Sequence, residues 1–166
     1  MSEVIMYEKC VDLLRERGVT LEDIADLVLH LQGKYHPEVT REMTLEIIKG
    51  VIGKREVQHA IITGISIDKA AERTDVEIFD PELKRLLMKD WSLYGIDEVL
   101  AYGICNLYGS IALTNFGYID REKPLILKNI NKHGSQCNVF LDDIVGAIAA
   151  AAASKIAHTN ANEGGL

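Results

Sequence analysis

The stretch that decides the fold is Val139-Phe140-Leu141-Asp142-Asp143-Ile144-Val145-Gly146-Ala147-Ile148-Ala149-Ala150-Ala151-Ala152-Ala153-Ser154-Lys155-Ile156-Ala157. It is apolar almost all round at helical pitch, as a helix at the centre of a bundle is. Its alanines favour that conformation over an extended one. Asp142, Asp143 and Lys155, together with the alanine dominance, argue against a membrane span. Ile96 to Leu113 has the same character, so these two stretches are expected to be the most buried helices. Gly146 gives up about 1 kcal/mol of helix propensity relative to alanine, which predicts another backbone passing close to it. On that reading Gly146→Leu should unfold the protein or break its assembly.

Outward from these stretches the periodicity stays helical. Val4, Cys10, Val11, Leu13 and Leu14 share a face of a first helix that stops at Gly18. Thr20-Leu21-Glu22-Asp23 resembles a capping box and opens a second helix with Leu21, Ile24, Ala25, Val28 and Leu29 inward, ending near Gly33. After the His36-Pro37 break, Met43, Ile47 and Val51 mark a third helix around Thr40 to Val51. Val57, Ile61, Ile62 and Ile65 mark a fourth, from about Arg55 to Glu72. Thr74 to Phe79 reads as an extended connector, and Asp80-Pro81 as the cap and first residue of a short helix through Lys89. Asn115 to Asn138 reads as loop-rich, with a short helix after Pro124. No strand pattern of any length is visible. The expected fold is all-α, a single irregular bundle of about six or seven helices occupying residues 1–166 with one or two buried central helices.

A chain of 166 residues is the usual length of one domain. Eighteen Lys and Arg against 25 Asp and Glu leave −7, which opposes nucleic-acid binding because phosphate neutralisation needs a basic face. Arg17 to Ala25 has the flavour of a helix-turn-helix opening, but the Gly33–Val39 connection is too long for that motif. Cys10, Cys105 and Cys137 are odd in number and lack a CxxC, which fits a reducing compartment rather than a disulfide framework. The N-terminus lacks a basic region followed by an apolar one, so it is not read as a signal peptide. The expected location is cytoplasmic, peripheral to the membrane if the substrate is a lipid.

Several familiar sites are absent. Gly50-Val51-Ile52-Gly53-Lys54-Arg55 has the wrong spacing for a phosphate loop, and there is no HExxH. His30, His36, His59, His133 and His158 are scattered, none four residues from another, so a helical zinc pair is not expected. Neither Cys105 nor Cys137 is followed by arginine at phosphatase-loop spacing. His133 lies near Cys137 in sequence, although a buried inert thiol is the commoner state.

The informative feature is where five carboxylates fall. Ile96-Asp97-Glu98-Val99-Leu100-Ala101 and Leu141-Asp142-Asp143-Ile144-Val145-Gly146 share one pattern and open the two most apolar helices. Helical phase puts Asp97 on the face of Leu100, Ala101 and Ile104, and Asp143 on that of Gly146, Ala147 and Ala150. Acids at helix starts can simply complement the macrodipole, worth about 0.3–1 kcal/mol each. Two matched pairs on core helices, with Asp120 between them, point further, because a buried carboxylate needs pairing, hydrogen bonds or a cation. Hard oxygen donors suit Mg2+ better than zinc. Such a site would bring at least three of these carboxylates onto one ion. Arg121, Lys123, Lys128 and Lys132 lie in the same intervening segment, as a solvated charge run or as contacts for substrate phosphate.

Tyr118-Ile119-Asp120-Arg121-Glu122-Lys123-Pro124, the loop His133-Gly134-Ser135-Gln136 and Phe140 to Ala147 together resemble the C-terminal signature of the phosphatidylglycerophosphatase A family. Gly95 to Gly103 is similar to that family's Asp-Glu block, and order and spacing match over Ile61 to His158. The resemblance implies a Mg2+-dependent phosphatase that converts phosphatidylglycerophosphate to phosphatidylglycerol. It puts Asp97, Glu98, Asp120, Asp142 and Asp143 on the acidic motif positions and Lys123 on the Lys-Pro. It makes Asp120, Asp142, Asp143 and Lys123 the catalytic candidates, with the five acids as metal ligands. Membrane members have transmembrane helices and an N-terminal Gly/Pro-rich block that this chain lacks. It therefore looks like a soluble branch, whose substrate is that lipid, a related one or a soluble phosphate monoester. The alternative is a catalytically silent helical module that keeps the acids for folding or ligand capture. A homo-oligomer is expected, because alanine-rich faces on several helices have apolar surface to hide.

Overall fold

The computed structural model describes residues 3–75, 77, 80–130 and 134–163, and all regular structure among them is helical. Among the described residues nine helices run in order: α1 Glu3–Glu16, α2 Leu21–Gln32, α3 Arg41–Ile52, α4 Arg55–Glu72, α5 Pro81–Met88, α6 Ile96–Cys105, α7 Ser110–Glu122, α8 Ile126–Ile130 and α9 Val139–Glu163. The ends follow local chemistry. Gly18 closes α1 at φ 84, a conformation glycine adopts without strain. Thr20 and Asp23 form the expected capping box at α2, and Thr40 caps α3 by accepting the Met43 N–H. Asp80 accepts the Glu82 N–H ahead of Pro81.

The long helix α9 is the axis of the fold. Every residue from Val139 to Ser154 is buried, and α2, α3, α4, α6, α7 and α8 all pack on it. Its alanines explain how one helix can touch six others, since helix axes approach to 8–10 Å according to the side chains between them. Among the described residues no helix is long and apolar enough to cross a membrane.

The expected second central helix is corrected in two ways. Ile96 to Leu113 is not continuous, because the chain ends α6 with turn hydrogen bonds from Asn106, Leu107 and Tyr108 and restarts after Gly109, at φ 93. That break, together with α7 running through Asp120 to Glu122 where a loop was expected, raises the helix count above six or seven. Nor is α6 buried all round: Ala101, Ile104 and Cys105 face α9, while Ile96 and Val99 are 55% and 62% exposed. Met43, expected inward on α3, is half exposed.

The tightest glycine is also not the expected one. A Cβ on Gly146 would meet Ile119 and Phe116 at 3.5 and 3.6 Å, which is ordinary contact. A Cβ on Gly64 would meet the Phe140 Cβ at 3.0 Å and the Leu100 Cδ2 at 3.3 Å, besides striking the Ile144 side chain. Here α4 crosses the first turns of α9 at Phe140 and Ile144, which flank the acidic pair.

Candidate functional site

The site is built where the starts of α6 and α9 meet the end of α7. Asp142 and Asp143 are 6% and 3% exposed, because the helix carrying them is enclosed on every side. Asp142 Oδ1 accepts the Asp143 N–H at 3.0 Å, and its Oδ2 receives the Lys123 ammonium at 2.6 Å. Lys123 also donates to Asp120 Oδ1 at 2.5 Å and stands 3.6 Å from Asp143 Oδ1. It caps α7 in the left-handed region at φ 44, which throws its side chain back across Asp120, three residues earlier, and onto α9. Asp97, in the first turn of α6, presses its charge on Asp143. Two buried carboxylate oxygens, Asp97 Oδ1 and Asp143 Oδ2, find no N–H donor among the described residues, and the two carboxyls hydrogen-bond to each other through the proton on Asp143.

Electrostatics follow from that enclosure. Burial and then the neighbouring Asp142 push the Asp143 carboxyl up to about 10. Burial raises Asp142 to about 6 against the pull of Lys123. Burial works against the charge of Lys123 too, but Asp142 and Asp120 hold its ammonium above the usual lysine range. Asp97 and Glu98 are both raised, chiefly by desolvation. Among the described residues no three His, Cys, Asp or Glu side chains are spaced to hold one ion as they stand. The acids expected to share a cation are instead gathered about a lysine.

Asp97, Asp120, Lys123, Asp142 and Asp143 are thus brought together, with Glu98 at the exposed rim, where Asp120 bears on it. Arg121 turns outward, 81% exposed and paired with Glu122, and Lys128 faces solvent on α8. Lys132 and His133 lie outside the described residues. Burial raises the thiols of Cys10, Cys105 and Cys137 to about 11, 12 and 12, which leaves none as a thiolate nucleophile near neutral pH.

Sequence reasoning missed two contributors. Asp90, at φ 45, lines a cleft of about 340 Å3 with Trp91, Tyr94, Asp97 and Glu98, and its charge adds to that on Asp97 and Asp142. A left-handed non-glycine residue in such a place is backbone strain stored beside a site. Asp68 is the other. Fully buried on α4, it accepts the N–H groups of Phe140 at 3.1 Å and Leu141 at 2.9 Å, the donors left open at the start of α9. Arg17 and Glu72 brace the approach: Arg17 Nη2 donates to Cys137 O and Asn138 Oδ1, both at 2.7 Å, and Glu72 Oε1 accepts the Cys137 N–H at 2.7 Å. Asp68 had a readable signal, since it continues the apolar stripe of Val57, Ile61 and Ile65. Asp90 had none.

The same groups set a pH dependence. Asp68, Asp142 and Asp143 are raised to about 7, about 6 and about 10, all above the unfolded value near 3.8. The folded chain therefore binds protons that the unfolded chain has released. The stability these groups contribute is full below the unfolded value and is lost as pH rises through the folded ones. Thermal melts in EDTA should show the midpoint falling from pH 5 to pH 8. A flat or rising midpoint would mean that the acids are ionised and fully compensated.

A family model for phosphatidylglycerophosphatase A matches residues 18–158. The uncharacterized protein YutG of Bacillus subtilis (strain 168) is 54% identical over 154 residues, 92% of this chain and 91% of YutG. The crystal structure of protein YpjQ from Bacillus subtilis superposes with a TM-score of 0.92 at 44% identity, covering 98% of this chain and 99% of that one. The crystal structure of the low temperature requirement C protein from Listeria monocytogenes gives 0.88 at 49% identity, covering 94% and 97%.

Proposed function

The chain belongs to the phosphatidylglycerophosphatase A family, and from that membership we propose that it is a Mg2+-dependent phosphatase of phosphate monoesters, with phosphatidylglycerophosphate as the first substrate to try. The observation that carries the reading is the cluster of Asp97, Asp120, Asp142 and Asp143, in which two buried oxygens find no N–H donor among the described residues. Unsatisfied hard oxygens are the donor set a small divalent cation takes. Asp97, Asp142 and Asp143, joined by Asp120 or Glu98 from the rim, would hold the ion by drawing closer than they now stand. When bound it would polarise the phosphoryl group and lower the charge repelling an incoming nucleophile.

The remaining chemistry belongs to side chains. Lys123 is the cation nearest the acids and would bear the charge gathering on the phosphoryl oxygens. Asp120, more open to solvent than the pair beneath it, is the carboxylate with water access. It would take a proton from the attacking water as the water oxygen bonds to phosphorus and the ester P–O bond breaks, and would return it to the departing alcohol. The cleft bounded by Trp91 and Tyr94 offers an apolar wall beside Asp97 and Glu98 for the organic part of the ester.

The cluster being filled by Lys123 also favours a second reading, in which the acids serve folding alone. One screen separates the two. Phosphate release is measured with Mg2+ and with EDTA from phosphatidylglycerophosphate in micelles, phosphatidic acid, glycerol 3-phosphate and p-nitrophenyl phosphate. Release from at least one monoester that EDTA abolishes is expected. Stabilisation by Mg2+ with no release from any of them would overturn the phosphatase reading in favour of the silent one.

A further inference from the structure

Lys123 sits where a cation among carboxylates would sit, and it fits the place badly. An ammonium has three donors. Two are used, on Asp120 and Asp142, while Asp143 Oδ1 at 3.6 Å is beyond hydrogen-bond reach. Asp143 Oδ2, on a residue 3% exposed, and Asp97 Oδ1 find no N–H donor among the described residues, and their one recourse is the proton that Asp143 holds against Asp97. The ammonium therefore neither balances the charge of the cluster nor saturates its oxygens. A divalent ion, with more ligand positions and twice the charge, answers both deficits.

The backbone under this lysine is also poised to move. Lys123 and Leu125 lie at φ 44 and φ 53 on either side of Pro124, so two non-glycine residues hold left-handed conformations around one rigid residue. Strain of this kind concentrates where a segment has two arrangements. The lysine side chain keeps 25% of its surface in solvent, whereas those of Asp142 and Asp143 keep 8% and 4%, so the lysine has a way out and the acids do not.

We propose that Lys123 is a displaceable internal counter-cation. It holds the acids together in the metal-free protein and gives up the centre to a divalent cation, which frees its ammonium to reach the phosphate. This rests on the metal-dependent reading above and adds to it that metal and lysine compete for the same oxygens. Loading the ion would then deliver the phosphate-binding lysine, so that site assembly is ordered.

The competition is tested with Lys123→Met, which keeps the stem and removes the charge, by calorimetric titration of Mg2+ and by melting. The metal-free variant should melt below wild type, because its acids have lost their counter-ion. Its Mg2+ affinity should be tighter by about tenfold or more, which corresponds to about 1.4 kcal/mol. Unchanged or weaker affinity overturns the proposal. Should Lys123→Met fail to fold, wild type itself reports. Amine-reactive labelling mapped by mass spectrometry should rise at Lys123 on adding Mg2+ and stay constant at Lys49, and equal or lower labelling of Lys123 overturns the exchange. The two ideas fail separately. Tighter Mg2+ binding by the variant without any wild-type phosphate release removes the phosphatase reading and keeps the exchange. Metal-dependent release with unchanged affinity in the variant does the reverse.

Discussion

Asp143→Asn should reduce Mg2+-dependent phosphate release by at least about 10²–10³-fold, the size of effect seen when one preorganised electrostatic contact is removed from a reaction centre. The amide has nearly the shape of the carboxylate but no charge, so the change isolates electrostatics from packing. Its effect on stability should run the other way. Burial and Asp142 already push the Asp143 carboxyl up to about 10, so the metal-free fold prefers that residue neutral. An amide supplies neutrality at every pH, and the melting midpoint in EDTA should hold or rise while the gain on adding Mg2+ disappears. Asp142→Asn should lose as much turnover but behave differently in EDTA. Asp142 is bonded to Lys123 at 2.6 Å, so its loss leaves a half-buried ammonium with less compensation and the midpoint should fall. Full metal-dependent turnover in both variants would exclude these carboxylates from the reaction. Equal stability shifts of one sign would show that Lys123 does not distinguish between them.

The parts of the fold legible in the sequence were those set by local pattern. Arg55 to Glu72 is delimited as read, because its apolar spacing is regular and its ends carry charged residues. The central helix was legible from an apolar character that runs almost all round it, and its alanines let six neighbours approach. The two acid pairs were legible because a carboxylate inside an apolar run contradicts its surroundings, and that contradiction is physical. Hydrophobicity alone was a poorer guide at Ile96 to Leu113. There the composition matches α9, yet the chain breaks before Gly109 and Val99 faces solvent, since burial depends on what lies opposite a face. Lys123 reads in sequence as one member of a charge run. Only the left-handed turn at α7 separates it from Arg121 and brings it against Asp142, 19 residues away. Asp90 was hidden for the same reason: its place is decided by a loop whose left-handed residues no periodicity announces.

Asp68→Ala should be the most damaging single change outside the acid cluster, lowering stability by about 3–5 kcal/mol, as removal of one member of a buried charged network does. At about 2–4 °C per kcal/mol for a chain of this size, the midpoint should fall by on the order of 10 °C. The reason lies in what the start of a helix lacks. The first N–H groups of α9 have no partners inside the helix, and α9 starts in the interior, where water does not replace them. Asp68 provides for Phe140 and Leu141 from a helix 72 residues earlier, while Arg17 and Glu72 hold Cys137 and Asn138 just ahead. Alanine leaves two buried donors open and leaves Arg17 with Glu72 as its remaining carboxylate. Asp68→Asn should be the milder variant, because the amide oxygen can keep one of the two bonds while its NH2 faces the other donor. The same variants report on the site. Asp142 and Asp143 follow Leu141 directly, so a start of α9 that shifts or frays carries their carboxylates with it. Asp68→Asn, measured well below its own midpoint, should therefore bind Mg2+ more weakly although no proposed ligand is altered. Weaker binding marks Asp68 as a positioning residue for the acid pair, whereas wild-type affinity in a variant of lowered midpoint limits its role to holding the fold.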